Sequence, residues 1–422
     1  MQATSTHSPI ASFLPKDSRH LYCVLIIALA CFLLFLLSFY PSSSLPLRSS
    51  SFSAADAAAD ALRTSALPAP PSFAYFLSGS TNDADRLLRL VLAIYHPKNL
   101  YLLHLDLSAP QEQRDRLARD LHAVPAFRSA RNVHVLGRAD FANPRGSSAL
   151  ASTLHGAAVL LRLSGKWDWF VNLGADDYPL VTQDDLLHVF SFLPKDLNFV
   201  QHSSYIGWRE SRKLKHVIID PALYLSSKAD VFYATQKRDL PNAYRIFTGS
   251  SSVILSRKFV EHIILGTDNL PRALLMYYAN TPSSHNNYLQ TVLCNSPEFN
   301  RTIVNDHLRY LRSDAAPKQD QNLPMLENLN NMTLSGAAFG SSFYRDDPIL
   351  NQIDSNVLNR GPRRIVPGGW CLGRGNTDPC GVWGNPDALI PGPGATRLAR
   401  NVVKLLNNES FHSHQCAWGG SV

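Results

Sequence analysis

The stretch WDWFVNLGADDYPL, Trp167 to Leu180, decides the fold. It starts as a hydrophobic strand, Trp169 to Leu173, breaks at Gly174 into a loop that holds Asp176 and Asp177, and stops at Tyr178-Pro179. Thr182 with Asp185 three residues on is a helix-entry pattern, and Leu186, Leu187 and Val189 carry it forward. Strand, acidic loop, helix is how an α/β sheet presents ligand-binding groups, because side chains just past the carboxyl ends of strands face an open crevice. On spacing alone, a turn whose aspartates only cap the next helix explains the same residues.

Upstream the same alternation repeats. Phe73 to Leu77 reads as a strand, Thr81-Asn82-Asp83 as a helix cap, and Leu87, Leu88, Val91 and Ile94 fall on one helical face. Leu100 to Leu105 is the next strand and ends at Asp106. Ser108, Pro110 and Gln111 read as cap, first-turn proline and capping box for a helix carrying Leu117 and Leu121. Val133 to Leu136 is a third strand, and Ser148 to Leu163 a helix with Leu150, Leu154, Ala157 and Leu161 on its buried side. Strands alternating with helices imply an α/β fold with a mostly parallel sheet covered on both faces.

Downstream of Phe199 the alternation weakens. Ile218 to Tyr224 and Phe247 to Leu255 read as strands, Pro271 to Tyr278 as a helix, and Tyr288 to Leu293 fits either. From Lys318 the pattern is loop-rich until a closing helix, Ala395 to Leu406, entered through Pro391-Gly392-Pro393-Gly394. No internal repeat is present.

The chain has 422 residues, 45% hydrophobic and 17% charged, enough for one large domain with appendages. Its formal charge of +7 comes without a basic run or an RNA-type aromatic motif, so nucleic acid is not expected. A basic cleft for an anionic small molecule, or a merely solvated basic surface, accounts for it. Leu21 to Tyr40 is a charge-free apolar stretch long enough to span a bilayer, and Lys16 and Arg19 before it keep residues 1–20 in the cytosol. A cleaved signal peptide would have a shorter apolar core, roughly 7 to 15 residues. Residues 41–72, rich in Ser, Ala and Pro, read as a stem, and 73–422 as a luminal domain.

That placement suits three glycosylation sequons, at Asn300, Asn331 and Asn408. Cys23 and Cys31 lie in the membrane stretch, which leaves Cys294, Cys371, Cys380 and Cys416. Four cysteines in an oxidising lumen allow two disulfides in three connectivities, with Cys371–Cys380 the favoured local pair. Walker loop, dinucleotide glycine fingerprint, HExxH and Gly-x-Ser-x-Gly are all missing, which argues against kinases, motors, zinc proteases and common esterases. An α/β luminal domain behind a stem and anchor points instead to a nucleotide-sugar glycosyltransferase. Its usual metal triplet is represented only by Asp83-Ala84-Asp85, which a helix start explains. Without a metal the leaving diphosphate needs Lys or Arg, and Arg309, Arg312, Lys318 and Arg345 are the candidates. His412, His414 and Cys416 have metal-like chemistry, but a tail with a disulfide cysteine accounts for them.

Several segments together resemble the plant branch of glycosyltransferase family fourteen, the beta-glucuronosyltransferase-like relatives of animal core-2 and I-branching N-acetylglucosaminyltransferases. They are YLLHLD (Tyr101 to Asp106), WDWFVNLGADDYPLVTQDDLLH (Trp167 to His188), IIDPALYLSSKAD (Ile218 to Asp230), FTGSSSVILSRKFVE (Phe247 to Glu261), DNLPRALLMYYAN (Asp268 to Asn280) and PGPGATRLAR (Pro391 to Arg400). The resemblance implies a GT-A fold in a Golgi type II membrane protein that moves sugar from a UDP donor with inversion and without a metal. For the plant branch it implies UDP-glucuronate as donor and the β-galactan of arabinogalactan proteins as acceptor.

Residue by residue, the resemblance sets Asp106 beside the nucleotide, Asp177 in the active-site loop, Gly249-Ser250 on the acceptor side, and Arg309 on the diphosphate. Two positions depart from it. Asn286 stands where the family carries its general base, a Glu, and an amide cannot take the acceptor proton; losing such a group costs about a hundred- to ten-thousand-fold in rate. Ser341 and Ser342 stand where the family carries a cation for the diphosphate. The sequence therefore supports a glucuronosyltransferase whose base is displaced to another carboxylate, Asp177 being the nearest guess, or whose proton leaves through water. It also supports a non-catalytic homologue that binds glycan, donor or a partner transferase, and a branching enzyme that uses UDP-N-acetylglucosamine. Oligomeric state cannot be read.

Overall fold

The first strand, β1 (Phe73–Gly79), shows how the chain builds its layers. Phe73, Tyr75 and Leu77 enter one core, whereas Ala74 and Phe76 enter another on the opposite side. That split follows from the two-residue period of a strand whose two faces are both covered. The computed structural model describes residues 68–226, 230–312, 325–373 and 378–417. The expected cytosolic tail, the apolar stretch Leu21 to Tyr40, most of the expected stem and Lys318 lie outside them. No helix among the described residues is long and apolar enough to cross a membrane.

In chain order the strands continue as β2 (Leu100–Leu105), β3 (Val133–Val135), β4 (Trp169–Gly174), β5 (Tyr178–Pro179), β6 (Asn198–Ser203), β7 (His216–Ile219), β8 (Phe232–Lys237), β9 (Thr248–Ser256), β10 (Ile303–Val304), β11 (Arg309–Leu311) and β12 (Phe339–Ser341). Seven of them form one sheet in the order β10-β6-β9-β4-β1-β2-β3. The run β3, β2, β1, β4 is parallel, and β9 enters antiparallel between β4 and β6. The expected mixed α/β architecture with a mostly parallel sheet is therefore present. A small second sheet, β11-β12-β5, and a two-stranded arm, β7-β8, complete the pairing.

Helices Ala84–Ala93, Gln111–Ala123, Gln183–Ser191 and Pro393–Leu406 pack on the Phe73 face. Ser148–Leu163, Arg257–Ile264, Asn269–Tyr278 and Tyr288–Asn295 cover the Phe76 face. In Ser148–Leu163 a side chain at Gly156 would overlap the Phe76 ring, so glycine lets that helix lie close on β1. The Thr182–Asp185 box forms as read: the Thr182 hydroxyl accepts from the Asp185 amide at 3.1 Å, and the Asp185 carboxylate accepts from the Thr182 amide at 3.0 Å. Asp185 also accepts from the Gly392 amide at 2.6 Å, which ties the entry of the closing helix to the acidic-loop helix.

Three local readings need correction. Helix Gln111–Ala123 has no side-chain cap, because the Ser108 amide turns back to the Asp106 carboxylate and Pro110 occupies the cap position. The strand read from Ile218 to Tyr224 stops at Ile219, because Asp220 accepts from the Ala222 amide and starts a 3₁₀ turn, Pro221–Tyr224. The C-terminal stretch read as loop contains helix Met325–Leu334 and β12. Their shortness and mixed composition give little periodic signal.

Candidate active site

Parallel strands end on one edge, and here three of those ends are tied together. The Asp106 amide donates to the Gly79 carbonyl and the Ala175 amide to the Ser78 carbonyl, both at 2.8 Å. Asp106 itself is buried, with one carboxylate oxygen accepting from the Ser108 amide at 2.7 Å and the other from the Ala142 amide at 2.6 Å. Its carboxylate thus holds the loop after β2 against the segment that follows β3. The Thr81 and Ser108 hydroxyls meet at 3.3 Å, so the loops after β1 and β2 form one rim.

Asp177 follows the carboxyl end of β4 on the same edge of the sheet. Its carboxylate accepts from the Gly174 amide at 2.8 Å and from the Ser341 hydroxyl, and pairs with the Arg309 guanidinium at 3.8 Å. The Arg309 side chain is 0% exposed and also donates to the backbone carbonyls of Asn172 and His307. Asn172 in turn bonds the Ser251 carbonyl and the Val253 amide, each at 2.9 Å. One network therefore runs from β9 through β4 to Asp177 and β12. Burial pushes the Asp177 carboxyl above its ordinary range and Arg309 pulls it back, while burial lowers Arg309 and Asp177 opposes that. Arg309 remains a cation under any such shift, because guanidinium stays protonated in proteins. The geometry puts Arg309 inside the domain, joined to Asp177.

Ser342, next to that network, takes the left-handed conformation with φ 68°, and the following Phe343 amide donates to the Asp176 carbonyl at 3.1 Å. Guanidinium groups surround this turn. Arg86 donates to the Phe343 carbonyl at 2.8 Å and pairs with Asp83 at 3.1 Å, Arg345 approaches Asp83 at 3.8 Å, and Arg312 pairs with Asp347. Arg345 is the most open of them, with half its side chain in solvent. Sequence reading missed Arg86, whose helix lies far upstream, because only the fold brings it to Ser342. Asp83 sits at the N-cap position, but its side chain caps no helix amide and accepts from the Ser80 amide instead, a correction to the expected cap, and Asp85 in the first turn pairs with Arg116.

The acceptor-side candidates lie on the same edge. Trp169 pairs with Ser256, so the antiparallel register carries the first residues of β9 past the carboxyl end of β4. A side chain at Gly249 would overlap the Gln201 carbonyl, where β6 and β9 shift register. Glycine is required there by the close strand approach. The Ser250 carbonyl accepts from Gln290 at 2.6 Å. Beside β9 stands the short turn Ser284–Asn286, entered by Ser283 at φ 48° and held by the Ser283 amide on the Arg145 carbonyl. Asn286 is half-buried there. Its neighbour His285 has a buried Nδ1 with no hydrogen-bond partner, and burial, aided by the charge of Lys213, pushes its pKa down to about 4. The signal for His285 was in the sequence, since it is the one titratable group between Pro282 and Tyr288.

The four cysteines among the described residues form two disulfides, one of them beside His202, the register partner of Gly249. Cys371 pairs with Cys380 and Cys294 with Cys416. His202, Cys294 and Cys416 converge with donor atoms within 4.8 Å, but both sulfurs are consumed by the disulfide. Asn331 and Asn408 are exposed on helices, whereas Asn300 is half-buried.

The Core-2/I-Branching enzyme family matches residues 73–334. The chain is 50% identical over 354 residues to beta-glucuronosyltransferase GlcAT14A of Arabidopsis thaliana, covering 83% of this chain and 79% of that protein. It is 48% identical over 345 residues to beta-glucuronosyltransferase GlcAT14B of the same plant, covering 81% and 80%. With beta-glucuronosyltransferase GlcAT14C, also from Arabidopsis thaliana, it shares 43% over 346 residues, covering 82% and 85%. Matches of this length across both proteins make the chain a glycosyltransferase, and it belongs to the core-2/I-branching enzyme family.

Proposed function

We propose that this chain transfers glucuronate from UDP-glucuronate to β-galactan side chains of arabinogalactan proteins, with inversion and without a metal, from a GT-A-like domain in the Golgi lumen. The observation that carries the reading is the 50% identity to a named beta-glucuronosyltransferase across most of both chains. The edge of the sheet supplies the geometry. The UDP-sugar lies over the rim formed by the loops at Thr81 and Asp106, and the acceptor approaches past Gly249 and Ser250.

Inverting transfer joins the acceptor oxygen to the anomeric carbon as the bond from that carbon to the diphosphate breaks. The hydroxyl proton then needs a base, and the departing diphosphate needs cations. Arg309 is fully buried against Asp177, so Arg345, half in solvent, and Arg86, two cations that share the one Asp83 carboxylate, balance the diphosphate in this scheme. Asp177 is a positioning residue, since three donors already occupy its carboxylate. The proton goes to His285. Its imidazole is neutral above pH 4 and close in basicity to the carboxylate that Asn286 replaces.

The amide at Asn286 favours a second reading, a homologue retired from catalysis into glycan binding. The test uses the full-length protein in detergent with UDP-glucuronate, a β-galactan oligosaccharide and a chelator, comparing wild type, His285→Gln and Asn286→Glu. Transfer by wild type that falls about a hundredfold in His285→Gln, with UDP binding kept, supports the scheme. Wild-type transfer indifferent to His285→Gln removes the base assignment. Transfer only by Asn286→Glu establishes the binding reading instead.

A further inference from the structure

The arm formed by β7 and β8 is the most unusual surface of the domain. Every residue of β8 is exposed, so this strand has no core behind either face. Around it, Tyr205 is 81% exposed, Trp208 68%, Tyr224 75%, Phe232 53% and Tyr233 58%. Large rings left in water between Tyr205 and Tyr233 are costly without an occupant, because each forgoes the burial that normally draws aromatic side chains inside.

The arm is fixed and does not hang free. Ile218 exchanges two hydrogen bonds with Asn280, amide to carbonyl at 3.0 Å and side-chain amide to carbonyl at 2.9 Å. The Tyr277 hydroxyl donates to the Leu214 carbonyl at 3.3 Å, and Arg238 at the end of β8 lies over the Tyr277 ring, 3.8 Å from its centre. Residues 277–280 run directly into the turn that holds His285 and Asn286. Lys213, at the base of the arm, is close enough to depress the His285 titration. The arm therefore stands beside the acceptor entrance.

Its charge is net basic, although Glu210, Asp230 and Asp239 lie among the cations. Arg209, Arg212 and Lys237 are exposed, and Arg209 lies 5.3 Å over the Trp208 ring. Lys213 and Lys215 are only loosely matched, to Glu210 at 3.5 Å and Asp239 at 3.7 Å. Flat rings pack on the apolar faces of pyranoses, and guanidinium groups take carboxylates as paired hydrogen bonds. A neutral glycan would use the rings and leave the cations idle; a second protein chain would also cover rings and guanidinium groups, and the oligomeric state in the test below separates it.

We infer that this arm is a binding site for an anionic oligosaccharide, the distal part of an acceptor chain that already carries uronates. The site favours further addition to chains that have been acidified. The inference rests on the transferase reading above for its biological sense, but binding to the arm does not depend on turnover.

The test compares full-length wild type in detergent with Trp208→Ala/Tyr233→Ala and Arg212→Glu/Lys237→Glu, all exposed positions away from the reacting groups. Binding is measured to a long β-galactan with and without glucuronate branches, and transfer to a short neutral galactan and to the long acidic one. Both variants should bind the acidic chain about tenfold more weakly and raise its KM with kcat unchanged, while the short acceptor is unaffected. The charge variant should leave binding of the neutral chain intact. Unchanged binding of the acidic chain in both variants would overturn the inference, and so would a ring variant that merely converts a dimer to a monomer. If wild type binds the acidic chain through the arm but transfers to neither acceptor, the site stands and the transferase reading falls.

Discussion

Arg309→Leu removes the cation from a pair that water does not reach. The two side chains are 0% and 8% exposed, so the Asp177 carboxylate left behind has no solvent to replace its partner. Breaking a buried pair in this way costs about 3–5 kcal/mol. In a domain of this size that lowers the unfolding temperature by on the order of 4–7 °C, each kcal/mol being worth about 1.4 °C at roughly 2 cal/mol/K of unfolding entropy per residue. The deficit depends on pH with a definite sign. Burial already raises the folded pKa of Asp177, and losing Arg309 raises it further. A carboxyl whose folded pKa exceeds its unfolded value opposes folding only when ionised. The Arg309→Leu deficit should therefore be largest near pH 7, shrink as pH falls through the raised folded pKa, and be smallest below the ordinary carboxylate range near about 4. Thermal unfolding of the full-length protein in detergent, followed by near-ultraviolet circular dichroism at several pH values, reads both effects. The double change Asp177→Asn/Arg309→Leu should recover part of the loss at pH 7, because no uncompensated charge remains. An Arg309→Leu protein that melts with wild type yet no longer binds UDP would refute the buried-pair argument and return Arg309 to the diphosphate.

Gly249→Ala should destabilise the domain by about 1–3 kcal/mol, because the added methyl meets the Gln201 carbonyl where β6 and β9 are closest; urea unfolding checks it, and an unchanged midpoint would show that the strands part freely. Acid should weaken the fold early. His96 is pushed down to about 3, and His202, His285 and His307 to about 4, all by burial. Folded pKa values below the unfolded ~6.5 mean that this stability is complete above that value and is lost as pH falls towards 4, on the order of 2–3 kcal/mol per histidine. The raised carboxyls Asp177, Asp184 and Asp306 act in the opposite direction. A urea midpoint that stays flat from pH 6.5 to 4.5 would show that the histidines are not the stronger term.

The elements that the sequence displays most plainly are those whose identity is set by local chemistry. Ser148–Leu163 announces itself through sixteen residues of periodic apolar pattern, and Thr182–Asp185 through a reciprocal cap that needs only its own four residues. Phe73–Gly79 and Trp169–Gly174 are legible because a strand buried on both faces leaves an unbroken apolar run. What escaped reading depends on the partner across the fold. Asp220 ends a strand by bonding its own backbone and then receives the Ser147 and Ser148 amides from 72 residues or more away, which no window around it reveals.

The candidate site divides along the same line, and its division bears on chemistry. Asp106, Asp177, Gly249 and Asn286 could be picked out as positions, but the work each side chain does there is set by neighbours distant in sequence. Arg309 shows the difference most clearly, because spacing offers it as a free cation while the fold gives it Asp177 and removes it from solvent. Ser342 shows the converse. Its hydroxyl carries no charge, yet Arg86 from the first helix and Arg345 from the following turn stand around it, so a cation missing from the local sequence is supplied by the tertiary structure. The same logic applies at Asn286, whose chain neighbour His285 has a buried Nδ1 without a hydrogen-bond partner. Loss of a group at its expected position in a chain is therefore weak evidence for loss of its function. The stronger evidence is loss of every group able to reach the same point, and on the proposed donor side Arg86 and Arg345 remain near Ser342.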